Sequence, residues 1–320
     1  MRSIFRIRAF DVVVVVLLVS LVGCLTLAAF SWVIPQLGLL VHFQVQYLFV
    51  LLVLAFACAV RRKWVLCSTS LFVALLPASR VVPWYIGDGS TAQTGSLVVL
   101  SSNVKATNEN WSAIEEMVLS VDADIVVLLE ATEPLQNFLT ADVSKYPYSV
   151  GQSLDTGAGF LLYSKYPLCE TVVHPNGVSN IETITTTVQS NAGEFSLVAA
   201  HPVRPGLRHG NRLNEQELST IGTIVQSLQG DVVVIGDLNT TMWSDGYKKF
   251  VTETKLRNLR QGIGVMPTYG FMFKPIFSIP IDHCLVLGNV NGVSFNSMSL
   301  DGSDHEAIIA NLAMDANGKE

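Results

Sequence analysis

Asp231-Val232-Val233-Val234-Ile235-Gly236-Asp237-Leu238-Asn239 is the stretch whose reading decides the fold. Four β-branched residues in a row predict a buried strand, and Gly236 breaks it. The Asp237 carboxylate and the Asn239 carboxamide then stand two residues apart at the exit of that strand, on one face by alternation. In α/β proteins this is where chemistry is usually placed. One side chain could orient an attacking water while the other holds a phosphoryl oxygen. A helix cap or a turn would use the same two residue types. The stretch alone is evenly balanced between these readings, and its companions decide.

Working outward, the chain divides by composition. Half of its 320 residues are hydrophobic and 14% are charged, too apolar for an ordinary soluble domain. The excess lies at the N-terminus. Residues 1–85 hold seven Lys/Arg (Arg2, Arg6, Arg8, Arg61, Arg62, Lys63, Arg80) and one acid, Asp11. The remainder carries 13 Lys/Arg against 25 Asp/Glu, a net charge of −12. This split predicts a membrane anchor (1–85), a Gly/Ser/Thr-rich linker (86–95) and a separate domain (96–320). An acidic domain lacks the Lys/Arg excess that displaces counterions from a nucleic-acid backbone, so nucleic acid is expected to be an unlikely partner. The cysteines (Cys24, Cys58, Cys67, Cys169, Cys284) show no metal-ligand spacing and indicate no disulfide framework. Nothing in the sequence identifies a protein partner.

Three stretches are apolar enough to cross a bilayer: Val12 to Val33, His42 to Val60, and Trp64 to about Val82, the last weakened by Pro77 and Arg80. Pro35 and Gly38 mark a short turn between the first two, and Trp84 and Tyr85 are expected as interfacial anchors. The positive-inside rule puts the N-terminal arginines and the Arg61–Lys63 loop in the cytoplasm. The domain after Tyr85 is then expected outside it, on a multi-pass protein of the cell membrane. A rival reading takes Leu21-Val22-Gly23-Cys24 as a lipoprotein cleavage signal. The apolar run from Leu25 to Phe30 argues against it, and it too leaves the domain outside.

The domain delivers polar residues at strand ends repeatedly. A strand over Ser96–Ser102 ends at Asn103, a helix spans Trp111–Val121, and a strand over Ile125–Leu129 ends at Glu130. A carboxylate directly after five core residues is costly unless paired or bound to a metal; the alternative is a helix-start carboxylate. Strands over Gly159–Ser164, Glu170–Val173, Glu182–Gln189 and Phe195–Ala200 follow, the last ending at His201 before a Pro-rich basic loop. Arg204 and Arg208 in that loop either clamp phosphate oxygens or are simply solvated. Helices are expected over Asn211–Leu228 and Trp243–Glu253. Pro267 to Pro280 is a lid, a lip on the bilayer or a packed loop. A strand over Ile281–Val286 carries Asp282 at its entry, and Ser303-Asp304-His305 precedes a closing strand over Ala307–Leu312. An Asp able to orient that imidazole makes the pair suited to acid/base work.

Asn103, Glu130, His201, Asp237-x-Asn239, Asp282 and Asp304-His305, in that order, resemble the endonuclease/exonuclease/phosphatase superfamily. This superfamily includes deoxyribonuclease I, abasic-site endonucleases, inositol polyphosphate 5-phosphatases and neutral sphingomyelinases. The resemblance implies a four-layer α/β fold, two mixed β-sheets face to face with helices outside, and a Mg²⁺- or Mn²⁺-dependent phosphoesterase using in-line attack of water. Carried over by position, Glu130 would bind the metal with Asn103 and Asp304. Asp237 would orient or deprotonate the water, and Asn239 would hold phosphate. His305, held by Asp282, would stabilise charge or act as acid/base, with His201 on the other side. The second acid that pairs a histidine in the nuclease branch has no match here.

Three N-terminal spans resemble the bacterial membrane-anchored members of the superfamily. That likeness implies a lipid-linked phosphate or pyrophosphate as substrate. A sphingomyelinase- or phospholipase C-like phosphodiesterase comes next, then an extracytoplasmic nuclease, then an inactive binding module.

Overall fold

A computed structural model of the chain describes residues 9–87, 97–139, 145–152, 159–175, 182–270 and 277–314. The expected linker lies almost wholly outside these residues, as do Arg2, Arg6, Arg8 and residues 271–276.

Three helices are long and apolar enough to cross a membrane: α1 (Ala9–Ala28), α2 (Gln44–Val60) and α3 (Trp64–Val81). They share a core built from Val14, Leu18, Leu51, Leu54, Cys58 and Ala74. Their remaining faces expose Phe49, Phe56, Val65 and Phe72, so they are apolar all round, as lipid-facing helices are. Lys63 in the α2–α3 turn pairs with Asp11 of α1 at 2.7 Å. The first helix ends earlier than its hydropathy predicts. Beyond it, Pro35–Phe43 forms a 3-10 helix where a short turn was expected.

The rest is a β-sandwich. One sheet has the order β13-β14-β1-β2-β4-β3, the other β5-β6-β7-β8-β12-β9. The first is built from β1 (Leu97–Asn103), β2 (Ile125–Ala131), β3 (Tyr148–Gln152), β4 (Gly159–Ser164), β13 (Val290–Ser299) and β14 (Glu306–Met314). The second comprises β5 (Leu168–Pro175), β6 (Glu182–Ser190), β7 (Gly193–Ala199), β8 (Val232–Asp237), β9 (Arg257–Asn258) and β12 (Asp282–Leu287). A small hairpin pairs β10 (Tyr269–Gly270) with β11 (Ser278–Ile279). Both sheets are mixed: β1–β2 and β7–β8 are parallel pairs and the other ladders are antiparallel.

Alternation explains the layers. Val99, Val127, Leu129, Leu197, Val233, Ile235 and Ile308 point between the sheets and form the central core. Leu100, Val126 and Leu128 point the other way, against Ile114, Met117 and Val118 of α4 (Trp111–Val121) and Leu135 and Leu139 of α5 (Glu133–Leu139). Val232 and Val234 face Leu218, Ile221 and Val225 of α6 (Arg212–Ser227) and Tyr247 and Phe250 of α7 (Asp245–Thr254). Two sheets flanked by helices are the α/β architecture expected from the sequence.

The outer core beside α6 and α7 also takes in Val81 and, partly buried, Val41, Val45, Leu48 and Trp84. The ends of the apolar helices therefore pack directly on the sandwich. Trp84, expected as an interfacial anchor, is part of this packing. Trp243 Nε1 donates to the Arg80 carbonyl at 2.9 Å, and Gln261 Nε2 donates to the carbonyls of Pro83 and Ile86. Gly210 has φ +56°, and a side chain there would run into the Pro35 carbonyl. Gly210→Val is expected to cost about 1–3 kcal/mol for left-handed backbone in a β-branched residue, and to push the 3-10 helix off its seat. Limited proteolysis in detergent should then cut faster within residues 29–43 than in the unmodified protein.

Candidate active site

The polar residues singled out by the sequence meet at one end of the sandwich. β1 ends in Asn103, β8 ends in Asp237, and β12 begins with Asp282, which is in register with Asp237 across an antiparallel ladder. His305 directly precedes β14, and His201 lies two residues past β7. Gly236, φ +142°, lets β8 approach β7 so closely that a Cβ would meet the Ala200 carbonyl. That approach sets His201 beside Asp237. Glu130 sits at a register shift between β2 and β4, with φ +57°. Such backbone strain costs about 1–3 kcal/mol and gathers at functional sites. Here it turns a side chain from a core strand toward the site.

Asp237 Oδ2 is the hub. Asn103 Nδ2 donates to it at 3.2 Å and to Glu130 Oε1 at 2.8 Å. His201 Nε2 and His305 Nε2 each lie 3.6 Å from it. Asp237 Oδ1 accepts from the Asn239 backbone N–H at 2.8 Å, so the residue forms the turn and also belongs to the site. Asn239, φ +52°, donates its amide to the Pro202 carbonyl at 3.0 Å. Glu130 Oε2 accepts from the Ala106 N–H. His305 Nδ1 faces both Asp282 oxygens, at 3.2 and 3.0 Å. His201 Nδ1 is buried with no hydrogen-bond partner among the described residues.

Charge is divided between the two histidines. Burial lowers His201 to about 4, against the pull of Glu130, so it is neutral near pH 7. Burial also disfavours the His305 cation, but Asp282, Asp237 and Asp304 outweigh it and raise it to about 9. Asp282 stays below its ordinary value because His305 and its other partners overcome the burial. Burial pushes Asp237 up to about 7, only partly relieved by His305. Environments that separate like groups in this way assign acid and base roles. A carboxylate poised near neutrality beside an imidazolium can take a proton from water while the cation neutralises developing charge.

A cavity of about 810 Å³ opens over these groups, lined by Glu130, His201, Asp237, Asn239, Asp304 and His305. Arg204 also lines it; Arg208 does not, and is exposed. Asp304 is 3.9 Å from Lys105 Nζ. Asp237, Asp282 and His305 offer ligand atoms within 4.8 Å of one another and form a group that could coordinate a divalent ion. The Glu130 and Asp237 oxygens suit a hard cation such as Mg²⁺ or Mn²⁺; the Asn103 oxygen accepts from the Lys105 N–H, and its amide nitrogen faces the two carboxylates. Burial raises Asp237 by disfavouring its charged form, and Asp282 adds to this; a bound cation would favour the carboxylate.

Several residues of the site carry no sequence signal. Lys105 lines the cavity. Tyr269 lies 4.8 Å from the His305 ring, centroid to centroid. Beneath the Asp237–Thr241 turn, His283 Nε2 donates to the Thr240 carbonyl at 2.8 Å, while its Nδ1 faces Asn258 and the fully buried Arg260. His42, from the apolar N-terminal region, bonds Thr241 Oγ1 through Nδ1 at 2.9 Å. The turn carrying Asp237 and Asn239 is thus gripped from the core side and from the side of the apolar N-terminal helices.

The profile of the Endonuclease/Exonuclease/phosphatase family matches residues 100–305, the span that holds all of these groups except His42. The chain belongs to that family. An Endonuclease/Exonuclease/phosphatase member with this acidic and histidine cluster is a hydrolase of phosphoric ester or phosphoanhydride bonds. No curated protein matches it in sequence. Solved structures do match in fold. Zebrafish (D. rerio) TDP2 complexed with a single-strand DNA product is 13% identical with a TM-score of 0.58, over 69% of this chain and all of that one. The endonuclease/exonuclease/phosphatase from Beutenbergia cavernae is 20% identical at 0.55, over 69% and 72%. That from Bacteroides vulgatus is 18% identical at 0.56, over 69% and all of it.

The TDP2 complex corrects one expectation. Nucleic acid was ruled unlikely from the net charge of the domain, yet this fold does hold a DNA strand. Counterion release depends on the bases that touch phosphate, and an overall acidic count does not report on them.

Asp282→Asn is expected to lower kcat by about 10²-fold, within the usual range for acid/base groups, by leaving His305 Nδ1 without a carboxylate. The NMR titration of His305 should move down at the same time.

Proposed function

We propose that this protein is a metal-dependent phosphodiesterase of the phospholipase C or sphingomyelinase kind, working on a substrate presented by the membrane to which it is anchored. The observation that carries this reading is the composition of the cavity. Carboxylates and histidines of the reaction centre share it with Leu39 and Phe43 of the membrane-helix region. Lys105, Arg204 and the His305 imidazolium add positive charge there, balanced against Glu130, Asp237 and Asp304. A diester monoanion is admitted to such a site more readily than the multiple charge of a pyrophosphate. It also brings a substituent for each side of the phosphorus.

In this reading Glu130 would hold Mg²⁺ or Mn²⁺, with Asn103 and Asp304 beside it. A bound divalent ion supplies charge neutralisation at the phosphoryl oxygens. Asp237 takes the proton of the attacking water. Asn239 and Arg204 hold the phosphate. His305, oriented by Asp282, balances charge and protonates the leaving oxygen, while neutral His201 donates a hydrogen bond from the opposite side. The Lys63–Asp11 pair marks the end of the helices remote from the sandwich. With the positive-inside rule this supports a domain at the outer face, as in the bacterial membrane-anchored branch of the family. A second reading, an extracytoplasmic nuclease, is favoured by the TDP2–DNA complex.

The test is hydrolysis by full-length protein in detergent with Mg²⁺, offered sphingomyelin and phosphatidylcholine in mixed micelles, single-stranded DNA, and undecaprenyl pyrophosphate. Release of a phosphorylated head group supports the leading reading, and nucleotide release supports the second. Inorganic phosphate from the pyrophosphate alone would overturn both.

A further inference from the structure

We propose that the 3-10 helix Pro35–Phe43 is part of the substrate site, with Leu39, Phe43, Ile279 and Ile281 forming a subsite for the hydrocarbon portion of an amphiphilic phosphodiester. The inference rests on the phosphodiesterase reading and adds to it. On that reading alone the apolar region could be a tether; here it is a specificity element.

Four of the residues that line the reaction cavity make an apolar wall: Leu39 and Phe43 from the 3-10 helix, Ile279 at the end of β11 and Ile281 just before β12. The same cavity is lined by polar and charged groups from other elements, Lys105, Glu130, Asp237 and His305. A cavity divided in this way fits a ligand that is itself divided, with phosphate at the polar floor and hydrocarbon on the wall. Leu39 and Phe43 are half-buried, so a chain laid on them removes further apolar surface from water.

The wall is fixed in place. His42 is buried between Thr241 Oγ1 at 2.9 Å and Asn211 Oδ1 at 3.4 Å. Gln36 Nε2 donates to the Arg208 carbonyl, and Gln46 Nε2 to the Ser278 carbonyl at 2.9 Å. The last bond ties the first turn of α2 to the hairpin whose Tyr269 ring lies against that of His305, tilted at 48°. Phe43 is followed directly by Gln44, where α2 starts, and α2 exposes Phe49 at 63% and Phe56 at 72%. The wall therefore runs in sequence into a helix with a lipid-facing surface. A hydrocarbon chain on it could stay in contact with the bilayer while the phosphate reaches Asp237.

The experiment uses full-length protein in dodecyl maltoside with Mg²⁺ and a series of p-nitrophenyl alkyl phosphodiesters, from methyl to dodecyl. Expected is a rise in kcat/KM of up to about fourfold per methylene over the first several, the limit for full burial of each group. The rise should appear mainly in KM. Leu39→Ser should flatten this dependence. Leu39→Trp, which fills the subsite rather than emptying it, should move the optimum to shorter chains. The slope with chain length is the readout, so a general loss of rate in either variant does not imitate the result. A slope equal to that of the unmodified protein in both variants overturns the subsite and leaves the phosphodiesterase reading standing. An unmodified protein that cleaves no member of the series overturns that reading, and the subsite with it.

Discussion

Asp237→Asn is expected to lower turnover by about 10³-fold, within the range for loss of a positioned base, and to leave the protein at least as stable as before. The two effects come from one cause. Asp237 is 1% exposed, and burial raises its carboxyl from 3.8 to about 7. A carboxyl whose folded value lies above its unfolded one holds its proton more tightly in the folded state. Without metal, the folded protein then loses stability as pH rises from about 4 to about 7, where the unfolded chain has already released the proton. The amide carries no such cost, and it can still accept from the Asn239 N–H. Urea or thermal unfolding in EDTA should show Asp237→Asn gaining on the unmodified protein across that window, then running parallel to it above pH 7. A variant that is inactive and also less stable at pH 8 would mean that Asp237 is a structural turn residue, the reading its hydrogen bond to Asn239 also allows.

That ambiguity was visible in the sequence, and the reasons parts of the fold were legible are physical. Buried strands with hydrophobic side chains on both faces, such as Val232–Ile235 and Ile125–Leu129, read as unbroken apolar runs because each face meets a different core layer. β13 gave no such signal. Of its residues, Val290–Ser299, only Val290 and Phe295 are buried, and the run includes Asn291, Gly292 and Asn296, so neither an apolar run nor an alternation marks it. β13 is an edge strand, fixed by its long ladder to β14 and not by its own composition. α5 and β3 escaped because they are short, seven and five residues, too few to show a period.

Residues at strand exits were legible as site candidates because a polar residue ending an apolar run is costly without a purpose. Partners that act from elsewhere were not. Lys105 and Tyr269 stand in loops or at a two-residue strand, and His42 lies inside a stretch read as membrane span. His42 reaches Thr241 across 199 positions, a distance no local pattern reports. Arg208 shows the converse: a basic residue in a suitable loop, which the backbone turns to solvent. The net charge of the domain misled in a related way, since it sums over the surface and binding samples only a part.

Glu130→Gln is expected to lower activity by about 10³-fold, the scale of several kcal/mol from an ion at the phosphoryl group, and to abolish the stabilisation by Mg²⁺. An ion that binds only the folded state adds about 2.7 kcal/mol at one hundred times its Kd, an effect thermal unfolding in detergent resolves. The glutamine preserves shape and can still accept from the Ala106 N–H, so the strained bulge at φ +57° is left as it was. The same measurement separates two possible seats for the ion. If Glu130 holds it, the Mg²⁺-dependent shift disappears in Glu130→Gln and remains in Asp282→Asn. If Asp237, Asp282 and His305 hold it, the pattern reverses. The first outcome is the expected one. Asp282 has both oxygens facing His305 Nδ1, and a protonated imidazole repels a cation. Glu130, with 30% of its side chain exposed, has room to take one.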